Sequence, residues 1–248
     1  MADPRPIYLH EIITIVGAGS EPYKAHTGAG WAARWRDRRA LLVGTWQQSG
    51  STGQWPRVVN LWEMAGWDHW AEILAQQYAG VGQPRMLKTW WNKALAYRSG
   101  GVDRILQPAD YSPTCRELIA AGVKGRACLQ EIATVRSGEG PVYLDAVRHR
   151  WLPRAAKRGL TLIGAYQTTM RDTEVVLLWS LPTLRHFTDY LKDAAVAPDV
   201  VRWTDTAREW RTDYRETLLV PSQWCVTHPD WRPPAGFSPK PTRATRRR

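Results

Sequence analysis

Residues 7–15 read IYLHEIITI and residues 127–135 read ACLQEIATV, so one apolar pattern with a central glutamate occurs twice in this chain of 248 residues. At a constant offset of 120 the identities continue, and they join Glu11 with Glu131, Tyr23 with Tyr143, Trp31 with Trp151, Arg34 with Arg154, Arg38 with Arg158, Gly44 with Gly164, and Gln47 with Gln167. The offset then falls to 117 and to 113, joining Leu61-Trp62 with Leu178-Trp179, Trp90 with Trp203, and Arg98 with Arg211. Length changes that fall between elements are typical of a duplicated domain.

Both halves have the same predicted order of elements. The first half predicts strands over 7–15, 40–48, 57–64 and 104–107, with a helix that ends near Arg39 and helices over 66–77 and 90–98. The second half predicts strands over 127–135, 161–169, 174–181 and 217–220, with helices over 141–157 and 182–194. This β-α-β-β-α-β order is that of the ferredoxin-like α+β fold, in which helices cover one face of an antiparallel sheet.

The strands are apolar on both faces, since Leu9 and Ile13 alternate with Tyr8 and Ile12 in the first strand. A sheet with helices on one face needs a second partner for its other apolar face. The duplicate sheet can supply this partner, so we expect the halves to pack sheet to sheet as a pseudo-dimeric α+β barrel. The predicted units are residues 1–113 and 126–224, joined by a linker over 114–125.

Charge and cysteine content limit the classes of function. Of the net charge of +11, five charges belong to residues 225–248, which are rich in proline and arginine and are predicted to be a disordered basic tail. This concentration makes nucleic-acid binding an unlikely main function. Three cysteines without metal or disulfide spacing indicate a reducing, cytoplasmic location. No apolar run reaches the ~18 residues of a membrane span, so no membrane contact is expected.

Several positions resemble the NIPSNAP family of the dimeric α+β barrel group over about residues 5 to 224. The resemblance rests on Gly44-Thr45-Trp46, Val58 to Glu63, and Trp67-Asp68-His69, with weaker echoes at Gly164-Ala165-Tyr166, Leu178-Trp179 and His186. It implies a barrel that holds a small-molecule pocket. The wider group is similar to a collection of cofactor-free oxygenases, isomerases, cyclases and dehydratases, with some haem-binding members.

Glu11 and Glu131 are the first candidates for catalysis, because each stands in the middle of a predicted strand on its apolar face. A buried carboxylate either raises its pKa or finds a partner, and both outcomes suit a general acid or base. The repeat predicts that the two carboxylates could meet across the barrel. The structural alternative is an ion pair within each half, to Arg34, Arg38, Arg154 or Arg158.

Other side chains are predicted to complete the pocket. His10 is a candidate for proton transfer because its counterpart in the second half is Gln130, but the pattern favours a half-exposed polar residue at this position. Gln47 and Gln167 would orient polar substrate atoms, and apolar walls would come from Trp46, Trp62, Tyr166 and Trp179. The spacing of the histidines does not favour a metal site, and no cofactor is expected, with His149 the remaining candidate for a haem ligand.

These observations predict an enzyme that acts on a small apolar metabolite by cofactor-independent acid/base chemistry, as an isomerase, lyase, cyclase or oxygenase. The alternative is a noncatalytic interaction or scaffold protein that assembles through its tryptophan-rich helices. In both cases we expect a homo-oligomer.

Overall fold

Eight strands form the sheet in the computed structural model, which describes residues 5–32, 40–80, 84–234 and 237. In chain order β1 to β8 are Ile7–Ile15, Leu41–Gln48, Arg57–Met64, Arg98–Pro108, Ala127–Val135, Thr161–Thr168, Glu174–Leu181 and Arg211–Pro221. Helices α1 to α8 are Ser20–Ala25, Trp67–Tyr78, Arg85–Ala94, Cys115–Ala120, Gly140–Ala146, Leu152–Ala156, Leu184–Val196 and Pro198–Ala207. Wider π-helical turns extend α1 over His26–Trp31 and join α5 to α6 over Val147–Trp151.

The strands close into one antiparallel barrel. Neighbours follow the order β1, β3, β2, β8, β5, β7, β6, β4, and β4 pairs with β1 to complete the ring. Two short seams of three residue pairs each, β2 with β8 and β4 with β6, join the halves. The predicted α+β class and the barrel are therefore confirmed.

The two halves share irregularities as well as strand order. In each half the fourth strand lies beside the first, followed by the third and the second. Register shifts occur at equivalent places, at Thr14/Ile15 and Thr134/Val135, and at Leu42/Gly44 and Leu162/Gly164. Because bulges bend a strand locally, their repetition gives the two sheets the same curvature.

The barrel interior is a single core to which every strand contributes. Its strand residues are Tyr8, Ile12, Val43, Trp46, Val59, Leu61, Leu106, Cys128, Ile163, Tyr166, Val176, Leu178 and Leu219. Polar groups inside are paired between the halves: His10 Nε2 lies 2.9 Å from Gln130 Oε1, and Arg104 Nε donates to Glu174 Oε1 at 2.7 Å. Alternation along β1 and β5 therefore places Tyr8, His10 and Ile12 inside, and their odd-numbered neighbours on the outer face.

A glycine two residues before a large aromatic residue is a further repeated feature of the interior. A Cβ on Gly44 would lie 2.3 Å from the Trp46 ring, and one on Gly164 would lie 1.9 Å from the Tyr166 hydroxyl. Both rings are fully buried and so have no free space to move into. Glycine is required here because the ring lies directly over the backbone.

The structure differs from the predicted boundaries in the fourth strand of each half. β4 begins at Arg98, where the end of a helix was predicted, and β8 begins at Arg211 rather than near Thr217. The first parts of β4 and β8 are polar or contain glycine, and they lack the apolar alternation that predicts a strand. They are extended because they pair with β1 and β5. Helices α4 and α8 were not predicted.

The C-terminal tail was predicted to begin at residue 225, but its first part is ordered on the barrel. Cys225 and Val226 are buried in the interior core, and Val226 N donates to Val43 O at 2.9 Å. The apolar residues among the prolines explain this packing. Residues 238–248, which hold most of the basic charge, lie outside the described residues, as do Arg34 and Arg38.

We expect Gly44→Ala to destabilise the protein by about 1–3 kcal/mol, because the added methyl group overlaps the Trp46 ring in a packed core. The free energy of unfolding in urea measures this. Gly100→Ala is the matched control, since a Cβ there meets no atom within 4 Å. Equal stability of Gly44→Ala and Gly100→Ala would contradict the assigned role of the ring.

Candidate active site

Glu11 and Glu131 lie on the outer face of the barrel, each under the helices of its own half. Leu129 and Ala133, the neighbours of Glu131 on its strand face, pack in a core built from second-half elements, whereas Tyr8 and Ile12 pack inside the barrel. The prediction that the two carboxylates share one chamber is therefore wrong. The reason is strand alternation, since it is the even-numbered residues that meet across the barrel.

Two donors hold the carboxylate of Glu11. Glu11 Oε2 accepts from Trp62 Nε1 at 2.9 Å and from Asn60 Nδ2 at 3.1 Å. Burial raises the pKa of Glu11 above its ordinary value, and the negative charge of Asp103 on the adjacent strand raises it further. The two hydrogen bonds and the guanidinium of Arg98 oppose this shift. The side chain is half-buried.

Glu131 occupies the equivalent place but is buried. Its Oε2 accepts from Tyr214 Oη at 2.9 Å and lies 3.6 Å from Arg211 Nη2. Burial raises the pKa of Glu131, and Glu216 raises it further while Arg211 lowers it. Oε1 finds no hydrogen-bond partner among the described residues.

A second carboxylate accompanies each glutamate across the strand pair. Asp103 is opposite Glu11 in the β1–β4 register, and Glu216 is opposite Glu131 in the β5–β8 register. In the second half, the Tyr214 hydroxyl bridges the pair, because it lies 2.9 Å from Glu131 Oε2 and 2.7 Å from Glu216 Oε1, and its single proton serves one of these oxygens at a time. The residue equivalent to Tyr214 in β4 is Gly101, so the first half lacks this bridge.

The arginines of the two halves have different partners. Arg211 donates through Nε to the Tyr143 hydroxyl at 2.8 Å and stacks 3.7 Å from the centre of the Tyr214 ring. Arg98 is 8% exposed and lies 4.8 Å from the centre of the Trp91 ring. Its Nη1 has no hydrogen-bond partner within the described part of the chain. The first-half cluster thus holds a buried, unused hydrogen-bond donor.

The helices cover the two sheets to different extents. In the second half α7 buries Phe187 and Tyr190, and the rings of Trp151 and Trp203 stack with their centres 5.8 Å apart. This fills the space above Glu131. In the first half, seven apolar side chains of α2 and α3 are only partly buried. These are Trp70, Ile73, Leu74, Met86, Leu87, Trp90 and Trp91. Among the residues that the structure describes, the side of the sheet that holds Glu11 is therefore the more open one.

The remaining predicted residues are spread over three places. Trp46 and Tyr166 lie inside the barrel with His10, which is fully buried against Gln130 and so neither half-exposed nor open to a substrate. Trp62 faces Glu11, while Trp179 lies in the core of the second half.

Gln47 and Gln167 lie in the two seams between the halves, where they pair with Val220 and Gln107, rather than at a substrate pocket shared with the glutamates. The amide of Gln167 donates to Asp172 O at 3.0 Å.

The predicted ion pairs to Glu131 are also wrong. Arg158 binds Asp193 and Asp199 instead, with Nη2 2.8 Å from Asp199 Oδ1. Arg154 donates to the carbonyl of Arg150. Arg154 thus bonds within its own helical segment, and Arg158 reaches across to α7 and α8, so neither pairs with Glu131.

The histidines do not form a metal or haem site in the described residues. His149, the candidate haem ligand, is exposed and pairs with Asp145 at 3.3 Å on the helix surface, so its position does not fit an axial ligand in a pocket. His69 Nδ1 accepts from Ala65 N, and His186 contacts the hydroxyl of Thr183. No group of three metal-binding side chains occurs within 5–32, 40–80, 84–234 and 237.

Sequence analysis missed the groups that surround Glu11, which are Tyr23, Asn60, Arg98 and Asp103. A signal for two of them was present in the repeat, because Tyr23 matches Tyr143 and Arg98 matches Arg211. Asp103 was missed because its strand was predicted to begin too late. Asn60 has Leu177 at the equivalent position, so the repeat carries no signal for it.

No family model matches the sequence, and no curated protein matches it. Among solved structures, a "putative monooxygenase" from Lactobacillus acidophilus NCFM is 10% identical, and the match covers 87% of this chain and 93% of that one at a TM-score of 0.59. A mutant chlorite dismutase from Candidatus Nitrospira defluvii is also 10% identical, with 88% and 92% covered and a TM-score of 0.51.

A NIPSNAP-like domain protein from Burkholderia xenovorans is 19% identical and matches 45% of this chain with 92% of its own length, at a TM-score of 0.37. The structural neighbours thus include NIPSNAP proteins over part of the chain and barrel proteins over most of it. At these identities the likeness concerns the fold. No helix in the described segments is long and apolar enough to cross a membrane.

The buried His10 predicts a pH dependence of stability. Burial and the nearby charge of Arg104 together lower the pKa of His10 to about 4. Because the unfolded chain takes up this proton near pH 6.5, stability is lost as the pH falls from that value toward 4. Between pH 7 and pH 5 the expected loss is about 2 kcal/mol.

Urea unfolding at the two pH values measures this loss, and His10→Gln is the control because it places a second glutamine opposite Gln130. The variant should lose about 2 kcal/mol less than the wild type over the same interval. The same pH dependence in both proteins would show that His10 does not titrate in this way.

Proposed function

We propose that the protein is an enzyme of the dimeric α+β barrel type that uses Glu11 as a proton acceptor and donor on a small apolar substrate. The observation that carries this proposal is a half-buried carboxylate of raised pKa at the base of the more open, aromatic-lined side of the sheet. A carboxyl group with a raised pKa is a better base near neutral pH than an ordinary one. Barrel proteins described as monooxygenases and dismutases among the neighbours are consistent with an enzyme on this fold.

The two hydrogen bonds to Glu11 suit this role. Both end on Oε2, from Asn60 and Trp62, so Oε2 is fixed and Oε1 is the oxygen that would exchange a proton with the substrate. Fixing the carboxylate in one orientation lowers the entropy lost on reaching the transition state.

Arg98 supports a more specific substrate class. Removal of a proton from a carbon beside a carbonyl group moves the electron pair onto the carbonyl oxygen, and the unused Nη1 donor of Arg98 would stabilise that negative charge. In a substrate with a C=C bond next to that carbon, return of the proton from Glu11 to the far carbon of this bond would shift the double bond and complete an isomerisation, with no oxidant required. The substrate would therefore be an apolar molecule with a carbonyl group, held among Leu87, Trp90 and Trp91.

Glu131 is proposed to be the structural counterpart of Glu11. It is buried beneath filled space, and its neighbours Tyr214 and Arg211 are themselves engaged. One half would thus retain the reactive cleft while the other stabilises the barrel. His10, Gln47, Gln167, Trp46, Tyr166 and Trp179 have no proposed contact with substrate.

The proposal also includes the division of the chain into two repeated units. We infer that residues 1–113 and 126–224 are tandem ferredoxin-like, NIPSNAP-type units. Support comes from the equal strand order, the bulges at equivalent positions, and the glycine–aromatic pairs of β2 and β6.

Exchange of carbon-bound hydrogen for deuterium tests the role of Glu11 without knowledge of the natural substrate. We expect the protein to accelerate exchange beside the carbonyl of at least one member of a panel of aryl ketones and β-diketones in D2O, followed by NMR. Glu11→Gln should reduce the catalysed rate by about 10²–10⁴-fold. The rate should rise with pH through a pKa above the ordinary carboxyl range, as the burial of Glu11 requires.

Glu131→Gln is the matched control, because the same chemical change is made in the equivalent position of the other half. It should keep the exchange activity. Equal activity of the wild type and Glu11→Gln, or exchange no faster than in buffer across the panel, would refute the proposal.

Arg98→Met should slow exchange by about 10²–10³-fold, since it removes the donor for the developing oxyanion. Arg211→Met, at the equivalent position, should instead cost stability, by about 3–5 kcal/mol, because it leaves a buried carboxylate without its cation. Exchange rates and urea unfolding of both variants separate the two roles. The reverse pattern would assign chemistry to the second half.

A further inference from the structure

The segment that follows β8 is fastened across one end of the barrel. Val226 N donates to Val43 O at 2.9 Å, and Gly125 N donates to Thr227 O at 2.8 Å. Lys124 Nζ donates to Val226 O at 2.8 Å. These bonds tie the segment both to β2 and to the turn after α4, so it is part of the folded body.

Cations support the aromatic rings of this segment. Lys124 Nζ lies 5.1 Å from the centre of the Trp231 ring, and Arg116 Cζ lies 5.0 Å from the centre of the Phe237 ring. Such contacts are worth about 0.5–1 kcal/mol at exposed sites. A third ring, that of Trp224, lies so close to Gly28 that a Cβ on this residue would be 2.1 Å from it. The three rings are therefore held in place from different sides.

A cavity of about 440 Å³ lies beneath these rings. Its apolar walls include Leu41, Leu42, Ile119, Trp224, Trp231 and Phe237. The volume falls within the range of pockets that bind small molecules. Its lining includes neither Glu11 nor Arg98, and it adjoins the proposed cleft where Leu42 and Trp224 pack near Leu87 and Trp90.

The lining indicates the class of ligand. Asp230 and Arg232 are the charged residues of the lining. Because their charges are opposite, the lining favours neither a cationic nor an anionic ligand. Both are exposed, whereas the walls are aromatic and aliphatic. We propose that this cavity is a second binding site, and that it takes an uncharged, ring-containing apolar molecule between the rings of the C-terminal segment and the residues of β2 and α4.

Binding of the neutral fluorophore N-phenyl-1-naphthylamine to the full-length protein tests this site. We expect saturable binding of one molecule with a rise in fluorescence. Ile119→Trp fills the cavity and should weaken binding at least tenfold, and Trp231→Ala removes a wall and should weaken it as well. Ile73→Trp is the matched control, because Ile73 belongs to the helices over the first-half sheet and does not line the cavity.

Alkylation gives a second readout that does not depend on these variants. Cys115 lines the cavity, whereas Cys128 and Cys225 do not. Bound fluorophore should slow the reaction of Cys115 with N-ethylmaleimide severalfold and leave the other two cysteines unchanged, as measured by peptide mass spectrometry.

The proposal fails if the fluorophore does not bind, or if Ile73→Trp rather than Ile119→Trp abolishes binding, since the probe would then occupy the cleft of Glu11. It also fails if bound fluorophore leaves the alkylation of Cys115 unchanged. None of these results bears on exchange by Glu11, so the two proposals are tested separately.

Discussion

Burial of both faces of each four-stranded sheet is the constraint on which the rest of the structure depends. Helices cover the outer faces, and the inner faces have only each other. Burial of an apolar side chain contributes roughly 1.5–3 kcal/mol, and the interior core contains such residues from all eight strands, so separation of the sheets would be very costly. The polar pairs inside, His10 with Gln130 and Arg104 with Glu174, are tolerated because each partner comes from the opposite half.

This constraint also decides where chemistry can occur. The interior is packed and shared, so an accessible polar group must lie on an outer face. Glu11 and Glu131 both do, but in the described part of the chain the outer spaces differ, because rings fill the second-half space and the first-half space is more open. The presence of both arrangements in one molecule allows a direct comparison. The two halves have the same types of residue at three positions, namely the glutamates, the second carboxylates and the arginines. They differ at a fourth position, which is Tyr214 in one half and Gly101 in the other.

Much of the fold was predictable because it follows from local pattern. β1, β3, β5 and β7 were predicted with the observed ends, since their apolar residues continue along the whole strand. β4 and β8 were predicted too short because Arg98 to Asp103 and Arg211 to Glu216 are extended only through pairing with a distant strand. The candidate site was less predictable for a related reason. The repeat drew attention to Glu11 as a candidate, but which strand face turns inward depends on packing between the halves, and sequence alternation does not reveal this packing.

The seams between the halves have a further consequence. In a barrel assembled from two identical chains, any substitution appears in both outer spaces at once. Here β2 with β8 and β4 with β6 join two halves of a single polypeptide, so each space is encoded separately. A bulky tyrosine at 214 on one side and a glycine at 101 on the other are therefore compatible. A single polypeptide can hold two different outer spaces around one common interior.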